Sequence, residues 1–177
     1  MRIIILGPPG TGKGTQARVL AKKLHLKHFN SGDFFRKEYA KKTVLGIKAY
    51  SYWGRGNLVP DGLKVKMLDK KLPKNNYILD GYPRTLSQAR LLEKKQRTDN
   101  VIYISSSKKE IFERLLQRAR IEGRSDDTAV IIKRRLVVYE KQTKPLLHFY
   151  RKKIIRVNGD QVPEKVLEEI LKKLTKV

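Results

Sequence analysis

The residues best equipped for chemistry lie near the start of the chain. Gly7-Pro8-Pro9-Gly10-Thr11-Gly12-Lys13-Gly14-Thr15 follows the apolar run Ile3 to Leu6 and opens a helical pattern. Glycines let backbone N–H groups close round an anion without Cβ clashes. The end of the following helix adds positive potential. Lys13 supplies a mobile charge that can follow β- and γ-phosphates. The chemistry on offer is therefore polyphosphate binding, and Gly10, Thr11, Gly12, Lys13, Gly14 and Thr15 are its candidate residues. The general pattern GxxxxGK(S/T) puts a hydroxyl directly after the lysine. Here Gly14 takes that place and Thr15 comes one later, so the usual magnesium ligand is either missing or displaced.

A loop of this kind needs a buried strand before it and a helix after it. Ile3 to Leu6 reads as the strand, and Ala17, Leu20, Ala21 and Leu24 mark one face of a helix. Tyr77 to Leu79, closed by Asp80-Gly81, reads as a second strand, Val101 to Ile104 as a third, and Ile154, Ile155 and Val157 as a fourth. Between them lie helical patterns: Ser31 to Lys41 behind an N-cap candidate, Asp61 to Leu72, Thr85 to Lys95 and Ser107 to Arg118. Asp127 or Thr128 can cap a long helix to about Tyr150, disturbed near Pro145. Pro163 to Leu174 is a last amphipathic helix. Strands alternating with helices indicate an α/β fold with a mostly parallel sheet.

Composition narrows the classes. The chain has 177 residues, 41 Lys+Arg against 17 Asp+Glu, and a net charge of +24. The length suits one domain. With no cysteine and only three scattered histidines, disulfides, thiol chemistry and a compact Cys/His metal site are excluded. No apolar run approaches the ~20 residues of a membrane span. The charge directs attention to polyanions: nucleic acid, anionic lipid or phosphate-bearing small molecules.

The string GPPGTGKGTQA, with its Gly-Thr departure, resembles adenylate kinases and their nucleoside monophosphate kinase relatives. Asn30-Ser31-Gly32-Asp33-Phe34-Phe35-Arg36, Asn57-Leu58-Val59-Pro60-Asp61 and Asp80-Gly81-Tyr82-Pro83-Arg84-Thr85 with Gln88-Ala89 are similar to further segments of that family. So are Arg114 to Arg118, Gly123 to Asp127, and Arg135, Tyr139, Thr143, Pro145 and Tyr150. These pieces come in family order and span nearly the whole chain.

The resemblance implies a P-loop NTPase three-layer fold over residues 1–177, with a five-stranded parallel sheet flanked by helices. It also implies two mobile inserts, an acceptor-binding one at about 30–60 and a short lid at about 118–128. The implied reaction is reversible, Mg-dependent phosphoryl transfer from ATP to AMP, giving two ADP. Such transfer needs aligned anions, screened charge and excluded water rather than a general base. On this reading Arg36 and Arg84 hold the acceptor phosphate, Arg118 and Arg124 close over the donor, and Arg135 reaches the transferred group. Lys13 acts with Arg84, Arg118, Arg124 and Arg135 in catalysis. Ser31, Asn57, Leu58, Val59, Gly81 and Gln88 join Arg36, Arg84, Arg124 and Arg135 around AMP, the Gln88 amide facing adenine's N1 and N6 edge.

Some residues keep two readings. Asp80 is either the carboxylate that holds Mg2+, through water and with Thr15 as an added ligand, or a strand-end turn residue. Asp126 and Asp127 either order the lid or cap the next helix. Gln161 either contacts the ATP adenine or is a polar loop residue. The lid is too short for a zinc-bearing β-domain and has no cysteines, so no zinc is expected.

Two rival functions stand beside adenylate kinase. One is a UMP/CMP kinase, disfavoured by Arg84-Thr85 followed by Gln88. The other is an RNA- or ribosome-associated P-loop ATPase, motivated by lysine pairs such as Lys22-Lys23, Lys41-Lys42 and Lys172-Lys173. Those pairs are scattered, which suits a solvated surface with weak, salt-sensitive RNA binding at most. Tyr50, Tyr52 and Trp53 read as packing of the acceptor-binding segment, or as a stacking platform. A cytoplasmic monomer without membrane contact is expected.

Overall fold

In the computed structural model, which describes residues 1–68, 71–122 and 128–175, five strands form one sheet in the order β2-β3-β1-β4-β5. The strands are β1 (Arg2–Leu6), β2 (Lys27–Asn30), β3 (Tyr77–Asp80), β4 (Asn100–Ser105) and β5 (Ile154–Asn158). Every neighbouring pair is parallel. This is the α/β fold with a parallel sheet that the alternating pattern predicts, and the three-layer P-loop fold that the resemblance implies.

The layering follows from alternation along β1. Ile4 and Leu6 point to one face and Ile3 and Ile5 to the other. The first pair joins a core with Leu79, Val101, Phe35, Leu92 and Leu146. The second pair joins Ile78, Ile102 and Ile104 with residues of α1 (Lys13–Lys23) and α9 (Pro163–Leu174). Strands buried on both faces read as continuous apolar runs, which is why β1, β3 and β4 are evident from sequence; β5, an edge strand, shows itself by Ile154, Ile155 and Val157.

The remaining helices are α2 (Ser31–Ala40), α3 (Val44–Trp53), α4 (Asp61–Leu68), α5 (Leu86–Lys95), α6 (Lys108–Glu122), α7 (Ala129–Val138) and α8 (Leu146–Phe149). Between α7 and α8, Tyr139–Thr143 form a π-helical turn. The expected disturbance of the long helix near Pro145 is this turn. In an α-helix the proline ring would collide with the carbonyl four residues back; the widened turn replaces that arrangement, with Lys144 N–H donating to the Tyr139 carbonyl.

Two caps settle open questions. Thr128 Oγ1 accepts from Ile131 N–H, so Thr128 caps α7. Asn30, not Ser31, caps α2 by accepting from Asp33 N–H at 3.0 Å, because Ser31 Oγ donates elsewhere, to the Gly81 carbonyl at 2.7 Å. The aromatic cluster of α2 and α3 is internal packing: Tyr39 stacks on Tyr50 at 4.1 Å, and Trp53 meets Tyr50 edge-on at 4.7 Å.

Candidate active site

The C-terminal ends of parallel strands are where open α/β sheets bind ligands. Here β1 leads into the glycine loop, β2 into Asn30 and Ser31, and β3 into Asp80 and Gly81. These segments floor a cleft of about 530 Å³, walled by α2, the 53–59 segment, α4, α6 and α7.

The glycine loop is shaped as its composition requires. Gly10 has φ +86°, and a Cβ there would lie 2.8 Å from the Ile111 carbonyl oxygen and 2.9 Å from Leu115 Cγ. Gly12, at φ +81°, caps α1 in the left-handed region that glycine tolerates. Thr11 is buried, its hydroxyl donating to the Pro8 carbonyl at 3.0 Å, so it braces the loop from behind. Lys13 Nζ donates to the same carbonyl. Burial lowers the Lys13 pKa to about 8; Asp80 opposes the shift, and Arg84 and Arg118 add to it.

Cations from separate elements meet in the cleft. Lys13, Arg36 from α2, Arg84 after β3, Arg118 from α6 and Arg135 from α7 all line it. Burial also pulls Arg84 down from the ordinary guanidinium range, with Asp80 opposing and Arg135, Arg36 and Arg118 reinforcing. The Arg84 side chain is aimed by Nε donating to the Gly81 carbonyl at 2.9 Å. Its backbone is held from both sides: its N–H donates to Gln88 Oε1 at 2.8 Å, and its carbonyl accepts from Thr143 Oγ1 at 2.9 Å. Arg36 Nη2 rests on Asp33 Oδ1. Clustered guanidinium groups repel one another, and a phosphate between them relieves that repulsion.

Asp80 ends β3 at 5% exposure and accepts from Asn30 Nδ2 at 2.6 Å on Oδ2. A Cβ on Gly14 would lie 3.3 Å from that oxygen, so the glycine in place of the usual residue leaves room beside the carboxylate. One carboxylate, with the Thr15 hydroxyl lining the same cleft, fits Mg2+, which keeps waters and takes its other ligands from substrate phosphates. Among the described residues no group of three or more His, Cys, Asp or Glu side chains gathers into a metal cage.

Of the other expected residues, Gly10, Gly12, Gly14, Thr15, Ser31, Asn57, Leu58, Val59 and Gly81 line the cleft. Asn57 Oδ1 accepts from Arg134 Nε at 2.9 Å, tying the 53–59 segment to α7. Gln88 does not line the cleft. It is fully buried, its Nε2 donating to Asp61 Oδ1 at 2.5 Å. Gln161 lies outside the lining too, its Nε2 donating to the Asn158 carbonyl at 3.0 Å and to Glu169 Oε2 at 2.9 Å. Arg124, Asp126 and Asp127 lie outside the described residues. Two cationic cleft residues escaped the sequence reading. Lys64 looks like an ordinary solvated helix lysine, and Arg18 like a surface charge of α1.

Comparison with known proteins agrees with this geometry. The adenylate kinase family model matches residues 5–155. The chain is 43% identical to adenylate kinase 1 of Nostoc sp., over 96% of each chain. It is 43% identical to the adenylate kinase of Thermobifida fusca, over 86% of each, and 38% identical to that of Clostridium novyi, over 96% of each. With its phosphate loop, its convergent arginines and matches of this extent, the chain belongs to the adenylate kinase family.

Proposed function

We propose that the chain transfers the γ-phosphoryl group of ATP to AMP, reversibly, giving two ADP. The observation that carries this reading is the convergence of Lys13, Arg36, Arg84, Arg118 and Arg135 on one cleft, more positive charge than one polyphosphate needs. Two phosphate-bearing substrates, one on the glycine loop and one against α2 and Arg84, account for that surplus.

The glycine loop and Lys13 bind the donor's phosphates. Arg36 and Arg84 hold the acceptor phosphate, whose oxygen is already anionic and needs no base. Arg118 and Arg135 face both and stabilise charge on the group in transfer. Planar guanidinium groups bridge two phosphate oxygens at fixed geometry, so lysine is a poor substitute. Asp80, with Thr15, would hold Mg2+ through water; when bound, that ion supplies charge neutralisation at the β- and γ-phosphates. Residues 30–60 act as the acceptor-binding insert and 118–128 as a short lid whose closure excludes water. Arg124 joins the donor phosphates in the closed lid, Asp126 and Asp127 order it, and Gln161 borders the donor adenine.

Gln88 bears on AMP in this reading. Its amide is fixed by Arg84 N–H and Asp61, so base recognition there requires the Asp61 contact to open. A monomer is the working unit in this reading. No described helix is long and apolar enough to cross a membrane. A cytoplasmic setting, where both nucleotides circulate, follows from the proposed reaction.

A dinucleotide of two adenosines joined by five phosphates tests the two-site reading. Tight binding that competes with both ATP and AMP is expected. Competition with ATP alone would show a single nucleotide site and refute the proposal.

A further inference from the structure

Lys64 sits on α4 where helical lysines ordinarily meet water, yet it is 3% exposed and lines the cleft. Its ammonium donates to the Gly81 carbonyl at 3.1 Å and lies 5.3 Å from the centre of the Tyr82 ring. That carbonyl is crowded. It also accepts from Ser31 Oγ at 2.7 Å and from Arg84 Nε at 2.9 Å. A carbonyl oxygen has two lone pairs, so three donors oversubscribe it, and one is available to a ligand. Lys64 has the most to gain. It carries three N–H donors in a buried place. Burial and the neighbouring Arg84 hold its pKa well below that of an ordinary lysine, with only Asp61 opposing.

The surroundings point to the base end of the acceptor rather than its phosphate. One helical turn before Lys64, Asp61 accepts from Gln88 Nε2 and, at 2.8 Å, from Thr85 Oγ1. Phe35, Trp53 and Val59 give the cleft an apolar wall, which suits a flat heteroaromatic ring. The phosphate already has Arg36, Arg84 and Arg135. Tyr82, under the ammonium, steadies Lys64 without taking a proton from it.

We propose that Lys64 is a specificity-determining residue for the acceptor monophosphate, its ammonium leaving the Gly81 carbonyl to donate to an oxygen on the edge of the acceptor base. The inference rests on the two-nucleotide reading above and deepens it. In its charged form, which an oxygen acceptor favours over the neutral amine, Lys64 offers donors only. The O6 of guanine and the O4 of uracil or thymine accept from it, whereas the N6 amino group of adenine is itself a donor. Lys64 therefore narrows the margin between AMP and oxo-base monophosphates and gives GMP and UMP a measurable place as secondary acceptors.

The test measures kcat/KM for AMP, GMP and UMP at saturating Mg-ATP, in the parent protein and in Lys64→Met, which keeps the stem and removes the donors. The GMP:AMP and UMP:AMP ratios should each fall about tenfold, the loss expected for one charge-assisted hydrogen bond. Lys64→Gln, which keeps a donor, should hold both ratios within about threefold of the parent. Each ratio is read within one preparation, so an inactive fraction cancels. Equal losses for all three acceptors, or unchanged ratios, would overturn the inference while leaving the kinase reading in place. Failure of the parent to phosphorylate any monophosphate would overturn both.

Discussion

Binding of the donor nucleotide should draw a proton from solution when the pH is above 8, and the proton should go to Lys13. Burial lowers the Lys13 pKa to about 8 in the ligand-free cleft, where Arg84 and Arg118 oppose its charge. At pH 8.5 only about a quarter of the molecules then carry the proton. Polyphosphate against Nζ favours the charged form and restores the pKa towards that of a free lysine. Uptake of about 0.7 proton per bound donor is expected at pH 8.5, and about 0.1 at pH 7. The nucleotide's own last phosphate proton has already dissociated at the higher pH. The assay is calorimetry with a non-hydrolysable ATP analogue and Mg2+ in two buffers of different ionisation enthalpy. The slope of apparent enthalpy against ionisation enthalpy counts protons. Lys13→Met should bind weakly and show no uptake. Zero uptake by the parent at pH 8.5, or the same uptake in Lys13→Met, would refute the reasoning. The stability sign follows from the same shift. Between pH 8 and 10.5 the unfolded chain holds more Lys13 protons than the folded one, so this residue makes the ligand-free protein more stable as pH rises through that window.

Arg84→Ala should lower turnover at least a hundredfold with circular dichroism unchanged, since Arg84 faces the phosphate end and its backbone contacts survive. Near-parental turnover would remove it from the chemistry. Thr143→Val removes the hydroxyl that donates to the Arg84 carbonyl; a stability loss of about 1 kcal/mol in urea unfolding and a several-fold higher acceptor KM are expected. Gly10→Val combines φ +86° with contacts at 2.8 Å and 2.9 Å, so donor binding should fall by orders of magnitude while acceptor binding persists. Residual RNA affinity should drop steeply between 50 and 200 mM salt in a filter-binding assay; a flat response would argue for a built RNA site.

The helices and strands that a period can betray were legible, and the exceptions have physical causes. β2 reads Lys-His-Phe-Asn, a short edge strand with no buried residue, so it shows no apolar run. Helix α3 buries only Gly46 and Ala49, while Val44 and Ile47 face outward, so its pattern points the wrong way. Ser31 has the composition of an N-cap, but its hydroxyl is drawn to Gly81 across the β2–β3 ends, a contact no local rule can foresee. The phosphate loop and Arg36, Arg84, Arg118 and Arg135 were legible because motif spacing survives in sequence. Lys64 was not, because a lysine reads as solvated until the elements packed around it are known. Gln88 was found by its type, yet its engagement with Asp61 depends on how α4 packs against α5.

The central claim is that two nucleotides meet in one cleft and exchange a phosphoryl group. Its most direct measurement is the product stoichiometry of purified protein with Mg-ATP and AMP, resolved by chromatography. Two ADP should form for each ATP consumed, with no reaction when AMP is left out and no inorganic phosphate released. Loss of ATP that is independent of AMP, with one ADP and one phosphate formed per ATP, would contradict the account.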